Sequence, residues 1–369
     1  LRRFWLYRSS VLGSRSIVQL VGLEVHLVMN NGLAETAEEV SRIAFGFMAS
    51  KALFAGLHID IFTLLADGPK KSAEIAKLAE VPMNRVTTLM TALTSIGLVD
   101  RDDEGEIYSN SPGAEAFLAK GAKYEFGDYL RYQIDKQMYP FLGQLNEVLD
   151  GSLDPEAVDS YQHWMSDPDQ ASVYSEAQHA GSLGPGRTLA RLVDLSTAKT
   201  LLDVGGGTGA MSIRLLEAYP EMIATIIDFP NVAEIGWRFV SEASMVDRIR
   251  YIPSNALVAE WPKDQDAILM SYLFSGIPGA EVTRLVEYTF DCLAPGGAYM
   301  VHDFMVADDR TGPPMAALWQ LQHMAFTPDA RSVTPGWLRG RLREVGFANI
   351  YEEEMIPGLT RLIHARKPD

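Results

Sequence analysis

The chain has 369 residues, of which 47% are hydrophobic, and its 48 acidic residues outnumber its 32 basic ones to give a net charge of -16. A chain of this length can bury a large core and suggests two domains, while the negative charge disfavours nucleic acid and anionic membranes as partners because it repels phosphate groups. The single cysteine, Cys292, excludes an internal disulfide and leaves too few thiols for a structural zinc site, so we expect no metal.

Residues 1–28 differ from the rest of the chain because they are rich in arginine and serine and carry no acidic residue before Glu24. This composition is compatible with an organelle transit peptide, and the apolar stretch within it is too short and too interrupted to span a bilayer. The alternative is sequence translated in error upstream of a start at Met29, since the chain opens with Leu1. We favour the second interpretation and expect a cytoplasmic protein.

Residues 29–120 predict a mainly helical domain. Apolar residues at helical spacing run through two helices, and the second, over residues 52–65, has an apolar face broad enough to need a partner chain. A helix that opens at Ser72, a turn at Pro82, a helix over residues 84–96 and two short strands follow. This order of elements is that of a winged helix-turn-helix.

DNA binding is the obvious function of a winged helix, but the charges of this one disfavour it. Its second helix would present four polar residues to a groove: Asn84, Arg85, Thr87 and Thr88. The wing is acidic, with Asp100, Asp102, Asp103, Glu104 and Glu106. We therefore expect a dimerisation domain that binds no nucleic acid, and a winged-helix regulator remains the non-enzymatic alternative.

The remainder of the chain divides into an aromatic-rich helical linker, over residues 121–180, and a region of alternating strands and helices, over residues 181–369. The linker is expected to contribute to a substrate pocket, because binding sites favour domain junctions. Short buried strands separated by helices predict a mostly parallel, doubly wound sheet. Its ligands should lie at the carboxyl ends of the strands.

The segment LLDVGGGTG, residues 201–209, predicts a ligand-binding turn between a strand and a helix. Its glycines allow a ligand to lie against the backbone, but the spacing differs from the dinucleotide fingerprint and no phosphate-binding lysine is present. Asp203 precedes the turn and would repel a pyrophosphate, whereas Asp228 ends the next strand, where an acid can bind both ribose hydroxyls. A nucleoside with a cationic group instead of phosphates describes S-adenosylmethionine.

Several further motifs accompany this turn: IIDFPNV, DRIRYIPSNAL, CLAPGGAYMVHDFMV and LREVGF. Together with the upstream winged helix, the chain resembles the class I S-adenosylmethionine-dependent methyltransferases of the plant and bacterial small-molecule O-methyltransferase type. The resemblance implies an α/β, Rossmann-like doubly wound sheet preceded by a mainly helical winged-helix dimerisation domain. It also implies a homodimer.

The resemblance assigns cofactor roles to particular positions. It implies that Gly205 and Gly207 approach the methionine part of the cofactor, that Asp228 holds the ribose, and that Asn255 and Ala256 flank the adenine. We complete the candidate cofactor site with the remaining residues at the same strand ends: Asp203, Gly206, Phe229 and Ser271.

The segment MSYLFSGIPG departs from the O-methyltransferase pattern in one respect. In that family a His-Asp pair stands here and its histidine takes the proton from the substrate hydroxyl, whereas this chain has Ser275 and Gly276. Serine has no useful basicity near pH 7. A first hypothesis is that His323, four residues after Trp319 on a predicted helix, supplies the base.

Methylation of an atom other than oxygen would also be compatible with serine at this position. Carbon methylation of a tetrapyrrole is one such reaction, since the segment around Leu273, Phe274 and Ser275, and again at His323, resembles the bacteriochlorophyllide methyltransferases. Methylation of a thioether sulfur is another, because this sulfur has no proton to lose, so that positioning and desolvation suffice.

The sulfur hypothesis agrees with a second resemblance. The segments FGFMASKALFAGLHIDIF, SYLFSGIPG and FTPDARSVTPGWLRGRLREVGF resemble the methylthiohydroxybutyrate S-methyltransferases, which make the precursor of dimethylsulfoniopropionate. We therefore expect S-methylation of 4-methylthio-2-hydroxybutyrate, with O-methylation of an aromatic or polyketide hydroxyl, or C-methylation of a tetrapyrrole, as the alternative. The catalytic candidates are His323, Phe274 and Asp303. The candidates for binding the acceptor and its carboxylate are Tyr132, Tyr139, Trp319, His323, Arg131 and Arg331.

Overall fold

The computed structural model describes residues 33–102, 105, 107–153 and 161–369. These residues divide into two units, one up to Ala119 and one from Lys120 onward. The predicted extension over residues 1–28 lies outside the described residues, as do Asp103, Glu104 and Glu106 of the predicted wing.

The N-terminal unit is a small helical domain with a three-stranded sheet. It contains α1 (Ala37–His58), α2 (Ile61–Ala66), β1 (Lys70–Lys71), α3 (Ser72–Leu78), α4 (Met83–Ser95), β2 (Val99–Arg101), β3 (Ile107–Asn110) and α5 (Pro112–Phe117). The strands are antiparallel in the order β1-β3-β2, so α3, α4 and the two longer strands form the winged helix. The hydroxyls of Thr87 and Thr88 donate to carbonyls of their own helix.

The apolar surface of this unit lies earlier in the chain than the sequence predicts. The expected face over residues 52–65 packs inside the unit, where Phe54, Leu57 and Leu65 are buried. The exposed large apolar side chains are on the first half of α1: Val40, Ile43, Phe45, Phe47 and Met48. By length and hydropathy alone, α1 is the one helix among the described residues that could cross a membrane, which is weak evidence because other single apolar helices pass the same test.

The C-terminal unit begins with the helices of the predicted linker. They are a π-helix (Tyr129–Met138), α6 (Tyr139–Leu142), α7 (Leu145–Asp150), α8 (Tyr161–Trp164) and the long α9 (Pro168–Leu192). Aromatic side chains from these helices and from the end of α13, defined below, form one packed cluster: Phe141, Tyr161, Trp164, Tyr174 and Phe326.

A seven-stranded sheet follows, with helices between its strands. Its elements are β4 (Thr200–Val204), α10 (Ala210–Ala218), β5 (Ile223–Asp228), α11 (Pro230–Glu242), β6 (Ile249–Pro253), β7 (Gln265–Ser271), a 3₁₀ turn (Phe274–Gly276), α12 (Gly279–Cys292), β8 (Leu293–Asp303), α13 (Pro314–Phe326), α14 (Pro335–Val345), β9 (Ala348–Ile356) and β10 (Thr360–Arg366). The strand order is β6-β5-β4-β7-β8-β10-β9, in which all strands run in one direction except β10, which is antiparallel to both β8 and β9. This is the doubly wound, Rossmann-like sheet that the alternating pattern predicts.

Alternation along the strands explains why helices cover both faces of the sheet. Successive side chains of a strand point to opposite faces, and Leu201 and Leu202 of β4 are both fully buried but belong to different core clusters. Because β4, β5, β7 and β8 are parallel neighbours or next neighbours, their carboxyl ends share one edge of the sheet. That edge carries Asp228, Ser271 and Asp303, which end β5, β7 and β8, and the glycine turn that follows Val204 of β4.

Gly236 in α11 offers a test of this packing, because a β-carbon there would overlap the phenol of Tyr251 on β6. Gly236→Ala is expected to lower the free energy of unfolding by about 1–3 kcal/mol, since the partly buried tyrosine ring must move. Gly340→Ala in α14 is the matched control, because a β-carbon there meets no atom within 4 Å. The control should gain about 0.4–1 kcal/mol. Chemical denaturation measures both, and equal effects would contradict the close contact.

Candidate functional site

The turn after β4 has the backbone that the glycine-rich segment predicts. Gly205, Gly207 and Gly209 have φ values of 68°, 57° and 77°, in the left-handed region where only glycine is unstrained. A β-carbon on Gly206 would lie 2.6 Å from Cγ of Asp203, whereas one on Gly207 would meet no atom within 4 Å. The turn is therefore packed against Asp203 on one side and open at Gly207.

Asp228 connects the end of β5 to this turn. Its Oδ2 accepts a hydrogen bond from the Gly207 N–H at 2.7 Å, and its Oδ1 accepts one from the Phe229 N–H at 2.8 Å. Burial raises the pKa of Asp228 to about 6, although these two hydrogen bonds lower it by a smaller amount. The carboxylate thus orders the turn and remains ionised above about pH 6.

Asp203 is a second acid beneath the turn. It is fully buried, its Oδ2 accepts a 2.6 Å hydrogen bond from the Ser212 hydroxyl, and its Oδ1 has no hydrogen-bond partner within the part of the chain that the structure describes. Burial and, to a smaller extent, the charge of Asp228 raise the pKa of Asp203 to about 7 against the lowering effect of the Ser212 hydrogen bond. Two carboxyl groups with raised pKa values therefore lie beside an open glycine turn, and a positively charged ligand bound there would stabilise their ionised forms.

These features fit S-adenosylmethionine. The open backbone at Gly207 leaves room for a ligand. Oδ1 of Asp203, which has no hydrogen-bond partner among the described residues, would be stabilised by a positive charge or a hydrogen-bond donor. Asp228 can accept hydrogen bonds from ribose hydroxyls. No phosphate-binding cation is required for such a nucleoside.

Other predicted cofactor residues already have partners within the protein. The side-chain amide of Asn255 donates to Oε1 of Gln162 at 2.9 Å and its Oδ1 accepts from the Leu257 N–H, while the Ala256 carbonyl accepts from Nε1 of Trp261. These bonds hold the loop after β6 in place. The Phe229 ring packs against the aromatic cluster of the linker helices.

Ser271 is paired with His302, a histidine that no sequence pattern singles out. The Ser271 hydroxyl lies 2.9 Å from Nδ1 of His302, whose Nε2 lies 2.9 Å from the Thr360 hydroxyl. Burial lowers the pKa of His302 to about 3. Because both ring nitrogens are already engaged, His302 is a structural residue, and Ser271 contacts it instead of standing open for a ligand. The tertiary pairing of β7 and β8 brings them together, and the sequence carries no local signal for it.

The acceptor side of the edge is formed by Ser275 and Asp303. The Ser275 N–H donates to Oδ2 of Asp303 at 3.0 Å, and Oδ1 of Asp303 accepts from the Phe304 N–H. Burial raises the pKa of Asp303 to about 6 against the opposing effect of these hydrogen bonds. Ser275, where a basic histidine would stand in the O-methyltransferase pattern, is thus buried beside a carboxylate.

His323 faces this region from α13. Its ring centroid lies 5.5 Å from that of Phe304, which stacks on Trp319 at 4.9 Å. Burial lowers the pKa of His323 to about 4, with a small opposing effect from the Trp319 carbonyl. The imidazole is therefore neutral at physiological pH, and its buried Nδ1 makes no hydrogen bond of normal geometry within the described residues.

The structure does not place all predicted residues at the site. Phe274 is fully buried in a core cluster of the sheet, so its side chain is a packing residue. Arg331 is exposed and lies over the Trp337 ring, and Tyr132 is also exposed. Arg131 is buried but forms a 2.7 Å ion pair with Asp128. Local sequence cannot reveal which side of these short segments faces inward.

Four tyrosines at the site were not predicted individually: Tyr129, Tyr161, Tyr174 and Tyr272. Burial raises the pKa of each, and the charges of Asp303 and Asp228 raise the pKa values of Tyr161 and Tyr174, respectively. The Tyr161 ring would also lie 3.1 Å from a β-carbon on Gly276. Their phenols therefore connect the cofactor side and the acceptor side. The aromatic richness of the linker was the available signal, and it identified the region but not these residues.

Comparison with protein families gives two matches. The model of the O-methyltransferase domain matches residues 156–348, and the model of the O-methyltransferase dimerisation domain matches residues 41–120. The second match supports a homodimer, and its range includes four of the exposed apolar residues of α1, which are Ile43, Phe45, Phe47 and Met48.

Individual relatives are distant but cover most of the chain. The tetracenomycin polyketide synthesis 8-O-methyl transferase of Streptomyces glaucescens is 25% identical over 331 residues, which are 89% of this chain and 96% of that protein. The N,N-dimethyltransferase OxyT of Streptomyces rimosus is 26% identical over 338 residues, 90% of this chain and 97% of that protein. Human N-acetylserotonin methyltransferase, solved in complex with S-adenosylmethionine, has the same fold, with a TM-score of 0.80, 21% identity and coverage of 92% and 100%.

Asp228 yields a prediction with a defined pH dependence. Its raised pKa of about 6 means that the carboxylate is protonated at lower pH, so the affinity for cationic S-adenosylmethionine should fall up to tenfold per pH unit below about 6. Asp228→Asn should weaken binding by about 10- to 100-fold above pH 7, because it removes a charge that accepts hydrogen bonds, and the difference from the wild type should narrow below pH 6, where the wild-type carboxyl is itself protonated. Titration calorimetry from pH 5 to 8 measures both effects.

The exposed Asp247 provides the control, since Asp247→Asn removes the same charge at a distance from the turn and should leave the affinity unchanged. Normal affinity of Asp228→Asn would exclude the assigned role of Asp228.

Proposed function

The chain belongs to the O-methyltransferase family and is an S-adenosylmethionine-dependent methyltransferase, and from this premise we propose that it methylates a hydroxyl oxygen of a small aromatic or polyketide-type acceptor. The family matches support this acceptor class, as does the name of the tetracenomycin relative. A further relative, a 3-hydroxy-5-methyl-1-naphthoate 3-O-methyltransferase of Streptomyces sahachiroi, is 25% identical over 308 residues. Because the chain belongs to this enzyme family, we set aside the alternative interpretation as a winged-helix regulator.

The residues around the glycine turn would hold the cofactor. Asp228 would accept hydrogen bonds from the ribose, the backbone at Gly205 and Gly207 would contact the methionine part, and the negative charge of Asp203 would stabilise the sulfonium. S-adenosylmethionine, when bound, supplies an electrophilic methyl group. The protein's own contribution is to align the acceptor atom and to exclude water, which together account for large rate enhancements.

His323 is the residue that would accept the hydroxyl proton. Its neutral imidazole lies against Phe304 beside the stacked Trp319, on the same edge as Asp303. The transfer of a proton from a phenol with a pKa of about 10 to an imidazole with a pKa of about 4 is, however, uphill by about 8 kcal/mol. This route therefore requires an acidic phenol, a bound acceptor that raises the pKa of His323, or Asp303 as the proton acceptor, since its raised pKa of about 6 makes it the more basic of the two groups.

That energetic cost favours a second candidate function, which is methylation of a thioether sulfur. With Ser275 in place of a base and His323 weakly basic, an acceptor that loses no proton avoids the transfer altogether. The specific reaction is S-methylation of 4-methylthio-2-hydroxybutyrate to the sulfonium precursor of dimethylsulfoniopropionate. None of the relatives described above is named for sulfur methylation, so the proposal rests on the chemistry of these two residues.

An assay with methyl-labelled S-adenosylmethionine distinguishes the two candidates. The purified protein is given 3-hydroxy-5-methyl-1-naphthoate or 4-methylthio-2-hydroxybutyrate, and products are identified by mass spectrometry. Labelled methyl ether from the naphthoate is the result that the hydroxyl proposal predicts. A labelled sulfonium from the thioether, with no methyl ether, would overturn it and support the second candidate.

His323→Gln gives the mechanistic part of the same experiment. Methylation of a hydroxyl should slow by about 10²–10⁴-fold in kcat, because the proton acceptor is lost, whereas methylation of a thioether should slow by less than about tenfold. His364→Gln on β10 is the control for loss of a histidine elsewhere in the sheet.

A further inference from the structure

The glycine turn has a side-chain contact that plays no part in the cofactor contacts described above. His179, on α9, contacts the turn, with its Nδ1 2.8 Å from the hydroxyl of Thr208. Thr208 is buried and stands between Gly207 and Gly209. The contact joins a helix of the predicted linker to the middle of the turn, 29 residues along the chain.

His179 is itself held in one orientation. Its ring stacks on Phe239 of α11, with ring centroids 3.7 Å apart and ring planes 12° apart. One turn earlier on α9, Glu176 forms a 2.9 Å ion pair with Arg238, the neighbour of Phe239. Burial, with smaller effects of Arg214 and Arg238, lowers the pKa of His179 to about 4. A neutral imidazole is thus fixed with one nitrogen on Thr208.

We propose that His179 is a positioning residue for S-adenosylmethionine, which acts by tethering Thr208 and thereby fixing the glycine turn in its binding conformation. The turn contains three residues with positive φ, and glycine has more backbone freedom to lose than any other residue. Besides the His179 tether, two contacts restrain Gly207: its N–H donates to Asp228 and its carbonyl accepts from the Tyr251 hydroxyl.

The tether acts on cofactor binding through preorganisation. A turn already ordered in the free protein loses less conformational entropy when the ligand binds. A single neutral hydrogen bond changes an equilibrium by about 2- to 12-fold, so loss of the tether should weaken binding of S-adenosylmethionine by that factor. The proposal concerns the cofactor site alone, and its test needs no acceptor.

A double-mutant cycle tests the tether. His179→Phe keeps a ring to stack on Phe239 but removes the hydrogen bond, and Thr208→Val removes the hydroxyl. Each variant should weaken binding of S-adenosylmethionine about 2- to 12-fold by calorimetry. The affinity of the double variant should be no lower than that of the single variant that binds less tightly. His179→Asn, whose amide can reach the position of Nδ1, should restore most of the affinity.

Hydrogen exchange of the free protein provides a readout that does not depend on the cofactor. Amides of residues 205–209 should exchange faster in His179→Phe than in the wild type, while the melting temperature falls by no more than about 5 °C, the shift that loss of one hydrogen bond produces in a domain of this size. His364→Phe is the matched control, because His364 is half-buried and stacks on Tyr351 at the far edge of the sheet. It should change neither measurement.

Two outcomes would overturn the proposal. One is unchanged affinity and unchanged exchange in His179→Phe. The other is additive losses in the double variant, which would show that the two side chains act independently.

Discussion

The hydrogen bond from the Gly207 N–H to the Asp228 carboxylate is the interaction on which the cofactor site depends. It joins the end of β5 to the turn after β4, and it exists only because these strands are parallel neighbours whose carboxyl ends share one edge. The same geometry places Asp203 under the turn, where one carboxylate oxygen has no hydrogen-bond partner among the residues of known position. Both carboxyl groups have raised pKa values because of burial. In the free protein, ionisation of these two buried carboxyl groups therefore costs free energy, and binding of a cationic nucleoside would reduce that cost.

On the acceptor side, burial also shifts pKa values, raising that of Asp303 and lowering that of His323. Asp303 and Ser275 are buried and hydrogen-bonded to each other, and His323 is neutral in an aromatic environment. The site thus has acids that favour positive charge and lacks a strong base among the described residues. Such a site suits methyl transfer from a sulfonium, in which the positive charge moves from the cofactor to the acceptor or to the group that takes its proton. The energy of removing a proton from the acceptor decides which nucleophile the site can use.

The sequence predicts those parts of the site that local pattern determines. The strand, the glycine turn and Asp228 follow from spacing, because the turn chemistry and the sheet edge leave few alternatives. The fold class follows from alternating strands and helices. The exposed apolar face of α1, the burial of Phe274 and the pairing of Ser271 with His302 could not be predicted, because each depends on which side of a segment tertiary packing selects. The individual tyrosines of the pocket could not be predicted for the same reason.

A crystal structure of the protein with S-adenosylhomocysteine would test the role of Asp228 most directly. We expect ribose hydroxyls within hydrogen-bond distance of the Asp228 carboxylate, with the amino-acid part against Gly205 and Gly207 and the sulfur directed toward the edge that carries Asp303. A nucleoside bound elsewhere, or bound at this edge without contact to Asp228, would contradict this assignment.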